Sequence, residues 1–123
     1  MKTDERSILI VDDDADIREA LIDILTDHGY HALAVANGQE ALAHLRGGAR
    51  PRLILLDAMM PVMDGPSFRR EQLLDPELSR LPVLMISAGI LGDLDTGELG
   101  LVGVLGKPID LDRLLEVVSL HYL

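Results

Sequence analysis

Short apolar runs alternate with amphipathic stretches along this chain. Ser7–Val11 reads as a first strand. From Asp14 to His28, Ile17, Ala20, Leu21, Ile24 and Leu25 recur at i, i+3, i+4, i+7 and i+8, which predicts a helix with one apolar face. Asp14 suits its N-cap and Gly29 its stop. His31–Val35 is a less apolar strand, as expected near a sheet edge, and Asn37 caps a second helix whose inner face is Ala41, Leu42 and Leu45. Gly47-Gly48 ends that helix. Arg52–Leu56 is apolar on both faces, the mark of a central parallel strand. Asp64-Gly65 opens a loop-to-helix segment running to about Leu74, where Asp75-Pro76 breaks it. Pro82–Ile86 and Val102–Leu105 are the fourth and fifth strands, and Asp110–His121 is a last helix with Leu111, Leu114, Leu115 and Val118 on one face.

Strands that alternate with helices need right-handed crossovers, so the pattern predicts an α/β, doubly wound parallel sheet of five strands. The segment between the last two strands is the least regular. Gly89, Gly92, Gly97 and Gly100 fall within it, and each interior glycine weakens a helix by about 1 kcal/mol relative to alanine. A short or frayed helix is expected there, from about Asp93 to Leu99. No internal repeat, low-complexity tract or linker interrupts the pattern, so residues 1–123 are expected to form a single domain without a second, output domain.

Composition narrows the chemistry. The core must be aliphatic, because Tyr30, Phe68 and Tyr122 are the only aromatics. Cysteine is absent, which excludes disulfides and thiolate metal sites. A net charge of −10 provides no footprint for nucleic acid or anionic lipid. No apolar run approaches the roughly 20 residues of a membrane helix, and the first strand is too short for a secretory h-region. A cytoplasmic protein is the expectation.

The polar residues at the strand ends carry the interest, because ligands of open parallel sheets bind at that edge. The first strand runs into Asp12, Asp13 and Asp14; the third into Asp57; the fourth into Ser87; the fifth, through Gly106, into Lys107-Pro108. Asp12-x-Asp14-x-Asp16 resembles the start of a calcium loop. The sixth position, however, is Ile17 where glycine is needed, and the twelfth is Asp23, not glutamate. Helix capping explains Asp14 and Asp16. It does not explain Asp12 and Asp13, which follow the buried strand directly. Together with Asp57 they form three mutually repelling carboxylates, which a divalent cation makes tolerable, and oxygen-only ligands favour a hard ion such as Mg²⁺. A carboxylate beside such an ion can act as a nucleophile toward phosphorus. Lys107, one of only two lysines, and Ser87 supply a cation and a hydroxyl at the same rim.

Over essentially its full length the chain resembles the receiver domain of two-component response regulators. The resemblance is carried by Ile8–Asp14, by Leu55–Gly65 (Leu-Leu-Asp-Ala-Met-Met-Pro-Val-Met-Asp-Gly), by Asp75-Pro76, by Leu81–Ala88 and by Gly106-Lys107-Pro108. It implies a flavodoxin-like sheet of order 2-1-3-4-5 with five helices. It implies Asp57 as phosphoacceptor, charged by the phosphohistidine of a sensor histidine kinase or phosphotransfer protein. Asp13, Asp57 and the backbone carbonyl of Met59 would bind Mg²⁺, with Asp12 acting through a metal-bound water. Ser87 and Lys107 would hold phosphoryl oxygens, a cis bond would precede Pro108, and Ala88 would leave room for the phosphoryl group. Signalling would then proceed by contact with a downstream protein, or as a homodimer, without direct nucleic-acid binding. The chain would be a signalling phosphoacceptor, not an enzyme.

Two features depart from that pattern. Val104 stands where many receivers place a switching aromatic, and the stretch from Ser87 to Lys107 is short and glycine-rich. Output is therefore expected to run through an ordering or shift of Gly89–Gly100. Three alternatives are weaker. A haloacid dehalogenase-like phosphatase would need Asp at Met59 and a cap domain. A flavodoxin-like nucleotide carrier would need a glycine-rich loop after the first strand, where acids stand instead. A scaffold receiver that is never phosphorylated would have no need of a complete acceptor site.

Overall fold

The structure is a computed structural model and describes residues 7–88 and 96–122. Five parallel strands, β1 (Ser7–Val11), β2 (His31–Val35), β3 (Leu53–Asp57), β4 (Val83–Ser87) and β5 (Gly103–Gly106), form one sheet of order β2-β1-β3-β4-β5. Five helices cross between and after them: α1 (Ala15–Asp27), α2 (Gly38–Arg46), α3 (Gly65–Leu73), α4 (Thr96–Leu99) and α5 (Leu111–His121). This is the order and element count that the resemblance implies. The inner strands β1, β3 and β4 are buried along their whole length, whereas the edge strand β2 alternates with solvent.

Strand alternation splits the core into two layers. Leu9, Val11, Ile54, Leu56, Val83 and Met85 face α2, α3 and Leu99 of α4. Ile8, Ile10, Leu53, Leu55, Leu84 and Ile86 face Leu21 and Leu25 of α1 and Leu114 and Val118 of α5.

The helix signals act locally as expected. Asp14, Asn37, Asp64 and Asp110 are N-caps whose side chains accept backbone N–H groups of the first turn. Gly29, at φ +87°, follows α1 in the left-handed region open to glycine. β3, β4 and β5 each end one residue later than the apolar pattern alone suggests, so Asp57 and Ser87 are the last residues of their strands. Hydrogen-bonding backbone continues past the apolar run, and hydrophobicity does not mark where pairing stops. Of the helix expected from Asp93 to Leu99, Thr96–Leu99 is present, and residues 89–95 lie outside the described residues. Among the described residues no helix is long and apolar enough to cross a membrane.

Candidate phosphoryl and metal site

The sheet register brings the acids together. Val11 pairs with Leu56, which sets Asp12 beside Asp57 at the carboxyl ends of β1 and β3. Asp57 pairs with Ile86, and Ser87 pairs with Gly106, so Ser87 and Lys107 complete the same rim. Asp12 and Asp57 are 3% and 4% exposed, whereas Asp13 faces solvent. Carboxylate oxygens of Asp12, Asp13 and Asp57 all lie within 4.8 Å of one another.

The two buried acids are held in place. The Asp14 N–H donates to Asp12 Oδ1 at 2.9 Å, and the Asp12 N–H donates to the Val35 carbonyl at 3.2 Å. Arg18, on the first turns of α1, donates Nη1 to the Asp12 carbonyl at 2.7 Å. The Met59 N–H lies where it favours the charged form of the Asp57 carboxylate. Behind Asp57 the Ala58 N–H bonds the Ile86 carbonyl at 2.8 Å and the Gly65 N–H bonds the Ala58 carbonyl at 3.1 Å. A Cβ at position 65 would stand 2.6 Å from the Asp57 carbonyl oxygen, so only glycine lets α3 start this close to the acceptor strand. In the same loop Val62 has φ +72°, and the Met63 N–H reaches back to the Pro61 carbonyl at 2.8 Å. A β-branched residue in that region is strained, and such strain concentrates at functional loops.

Lys107 is the counter-charge. Its Nζ lies 3.3 Å from Asp57 Oδ1 and 3.5 Å from Asp12 Oδ2. Its backbone N–H donates to the Ser87 carbonyl at 3.0 Å, and its bond to Pro108 is cis. Burial, then the charge of Asp12, pushes the Asp57 carboxyl above its ordinary value of 3.8, while Lys107 and the Met59 N–H pull it back only in part. Burial disfavours the Lys107 ammonium, but Asp12 and Asp57 outweigh that and raise it above 10.5. The rim thus holds more negative charge than one lysine offsets. Hard oxygen donors in that state fit a divalent cation such as Mg²⁺.

The five side chains singled out in the sequence, Asp12, Asp13, Asp57, Ser87 and Lys107, are brought to one rim, and Met59 stands beside it with its side chain exposed. Sequence reasoning missed Arg18, whose bond to Asp12 is made by an unremarkable helix residue. It also missed Arg69 and Gln72, buried far down α3. The signal was there: from Gly65 and Phe68, helical spacing puts Arg69 and Gln72 on the inward stripe.

Comparison with known proteins agrees with this geometry. Residues 8–119 match the family model of the response regulator receiver domain. The chain is 35% identical over 113 residues to sporulation initiation phosphotransferase F of Bacillus subtilis, covering 91% of this chain and 90% of that protein. It is 40% identical over 110 residues to the probable transcriptional regulator ycf27 of Porphyra purpurea, covering 88% of this chain and 44% of the regulator. Thus the chain spans less than half the length of that relative. Among solved structures, a response regulator receiver protein from Pseudomonas putida superposes with a TM-score of 0.86 at 32% identity, covering 94% of this chain and 96% of that one. The chemotaxis protein CheY4 of Vibrio cholerae gives 0.83 at 31% identity, covering 92% and 95%.

Proposed function

The chain belongs to the response regulator receiver family of two-component signalling, and we propose that it accepts a phosphoryl group on Asp57 from the phosphohistidine of a sensor kinase or phosphotransfer protein. The observation that supports this best is the placement of Lys107 Nζ 3.3 Å from a buried Asp57 whose carboxyl is held above its ordinary value. A carboxylate oxygen of Asp57 attacks phosphorus in line, the P–O bond forms as the P–N bond to histidine breaks, and the imidazole leaves. Such transfer is mostly a matter of positioning and charge neutralisation.

Each residue then has a role in that step. The Met59 N–H and the close approach of Gly65 fix the orientation of Asp57. Lys107 leaves Asp57 for a phosphoryl oxygen, and the Ser87 hydroxyl donates to another. Asp12, Asp13 and Asp57, with the Met59 carbonyl, would hold Mg²⁺, and Asp12 would do so through a bound water. When bound, the ion supplies positive charge that offsets the acids and the incoming phosphoryl oxygens. Arg18 keeps the Asp12 backbone in register with Asp57.

We take residues 1–123 as one receiver domain that signals through protein contact, in the cytoplasm, with no direct nucleic-acid binding by this domain. No multiple-turnover enzymatic activity is proposed beyond transfer to Asp57 and its hydrolysis. The test is intact mass after incubation with acetyl phosphate and Mg²⁺. One added phosphoryl group is expected, lost in Asp57→Asn and with EDTA. If neither acetyl phosphate nor beryllofluoride engages the wild-type protein, the reading fails.

A further inference from the structure

Arg69 is 4% exposed and lies on the inward stripe of α3, yet among the described residues no carboxylate pairs with it. Its partners are neutral oxygens. Nε donates to the Leu99 carbonyl at 2.8 Å and Nη2 to the Gly100 carbonyl at 3.2 Å. Nη1 donates to Gln72 Oε1 at 2.8 Å and to the Leu81 carbonyl at 3.1 Å. Gln72 in turn donates Nε2 to the carbonyls of Leu78 and Leu81, at 2.9 and 3.1 Å. A buried guanidinium is tolerated only while its N–H groups are taken up. Here the acceptors converge from three places: α3 itself, the segment leading into β4, and the end of α4.

α4 is anchored at that end. Leu99 is buried in the core layer of Phe68, Leu78 and Leu81, whereas Gly97 and Glu98 face solvent. Gly100, at φ +59°, closes the helix in the left-handed region. Alongside, a groove of about 310 Å³ lies between Arg70, Leu73 and Leu74 of the α3 side and Glu98 and Leu99 of α4. A groove thus flanks α4 while the carbonyls of Leu99 and Gly100 are held by a fork. Displacing Leu99–Gly100 would take two of the four acceptors from a buried cation, so intermediate positions are disfavoured and the attachment is all-or-none.

We propose that Arg69, braced by Gln72, is a charged pin that makes Leu99–Gly100 a fixed pivot: α4 moves against α3 by closing the groove, and the movement stops there without running on into β5. Only the trigger rests on the phosphoacceptor reading, because the crossover that contains α4 begins at Ser87. The pin also gives a reason why Val104, in β5, need not be a switching aromatic. A response halted at Leu99 makes no use of one.

Hydrogen exchange on the full chain tests this, with wild type, Arg69→Met and Arg69→Lys, each with and without Mg²⁺ and beryllofluoride. In wild type the analogue is expected to change exchange across Thr96–Gly100 by roughly fivefold or more and across Gly103–Gly106 by less than about twofold. In Arg69→Met the β5 amides should respond as strongly as α4. Without analogue, Arg69→Met should raise exchange at Leu99–Val102 by about tenfold, and Arg69→Lys, which keeps the charge but not the fork, should fall between. A wild-type β5 that responds as strongly as α4 overturns the pin, as does an Arg69→Met protein that behaves like wild type. If beryllofluoride does not bind, seen independently by ¹⁹F NMR, the phosphoacceptor reading fails by itself and the analogue-free arm still decides the pin. If Arg69→Met does not fold, Arg69→Lys decides: exchange at Leu99–Val102 equal to wild type overturns the proposal.

Discussion

Lys107 and Arg69 are both drawn in from solvent, and they are neutralised in opposite ways. Lys107 stands between two carboxylates at the rim. Among the described residues Arg69 has no carboxylate, and it is held by three backbone carbonyls and one amide oxygen. The difference separates a working charge from a fixed one. Lys107 has partners whose charge changes when a metal ion or phosphoryl group arrives, so it can be released and re-engaged. The partners of Arg69 never titrate, and its planar fork matches them only in one arrangement. Burial holds Arg69 below the ordinary arginine value, and it stays cationic throughout the working range.

The sharpest way to break this contrast is to remove the fixed cation. Arg69→Met leaves buried carbonyls and Gln72 without their donor, and should cost about 3 kcal/mol of stability in urea unfolding. The loss should be the same from about pH 5 to 9, since nothing in the cluster titrates there. A loss that varied with pH would mean that a carboxylate does pair with Arg69.

Lys107→Met should cost less, about 1–2 kcal/mol near pH 7 without divalent ions, and the loss should depend on conditions. It leaves Asp12 and Asp57 repelling each other. Mg²⁺ should restore much of the loss, and so should acid, which protonates Asp57. In the wild type the folded value of Lys107 is raised, so its contribution is present below pH 10.5 and fades as pH rises through the raised value. A loss insensitive to Mg²⁺ would remove the distinction from Arg69.

Asp57→Asn should stabilise the fold by about 1 kcal/mol at pH 7, measured by the shift in urea midpoint. Because the folded carboxyl value is raised, Asp57 favours the fold below pH 3.8 and loses that contribution as pH rises through its folded value. The gain from Asn should therefore shrink as pH falls toward 3.8. A destabilised Asn variant at pH 7 would show that pairing with Lys107 outweighs burial and Asp12.

The smallest effect is expected in the loop between the two regions. Val62 is 75% exposed and at φ +72°, so Val62→Asn gives up little burial and removes a left-handed β-branched residue. A gain of about 0.5–1 kcal/mol should follow, with phosphoryl uptake by Asp57 as the control for the loop's role. If stability is unchanged but uptake falls, the strain serves the site.

Most of the fold and nearly all of the site were legible along the chain. Capping residues, apolar periodicity and fully apolar strands are local signals, and Asp14, Asn37, Asp64 and Asp110 act where they stand. Asp57, Ser87 and Lys107 could be seen because each ends an apolar run. Arg18 could not be seen that way, since an arginine on a helix reads as a surface charge until the neighbours of that helix are known, and Arg69 was marked only by its helical spacing from Gly65 and Phe68. The order of the strands came from resemblance to a family, not from any local pattern.

By itself, then, the sequence determined which segments become strands and helices, and which polar groups emerge at the strand ends. Those choices depend on side-chain period and on residues a few positions apart. Only the tertiary structure decided which emerging groups meet. Register set Asp12 beside Asp57 and brought Lys107 to both. Packing of α3 against the end of α4 turned a pair of polar helix residues into a buried cluster. The reason is that the value of a charge depends on its surroundings: the same arginine is a solvated ornament on one face of a helix and a pin on the other.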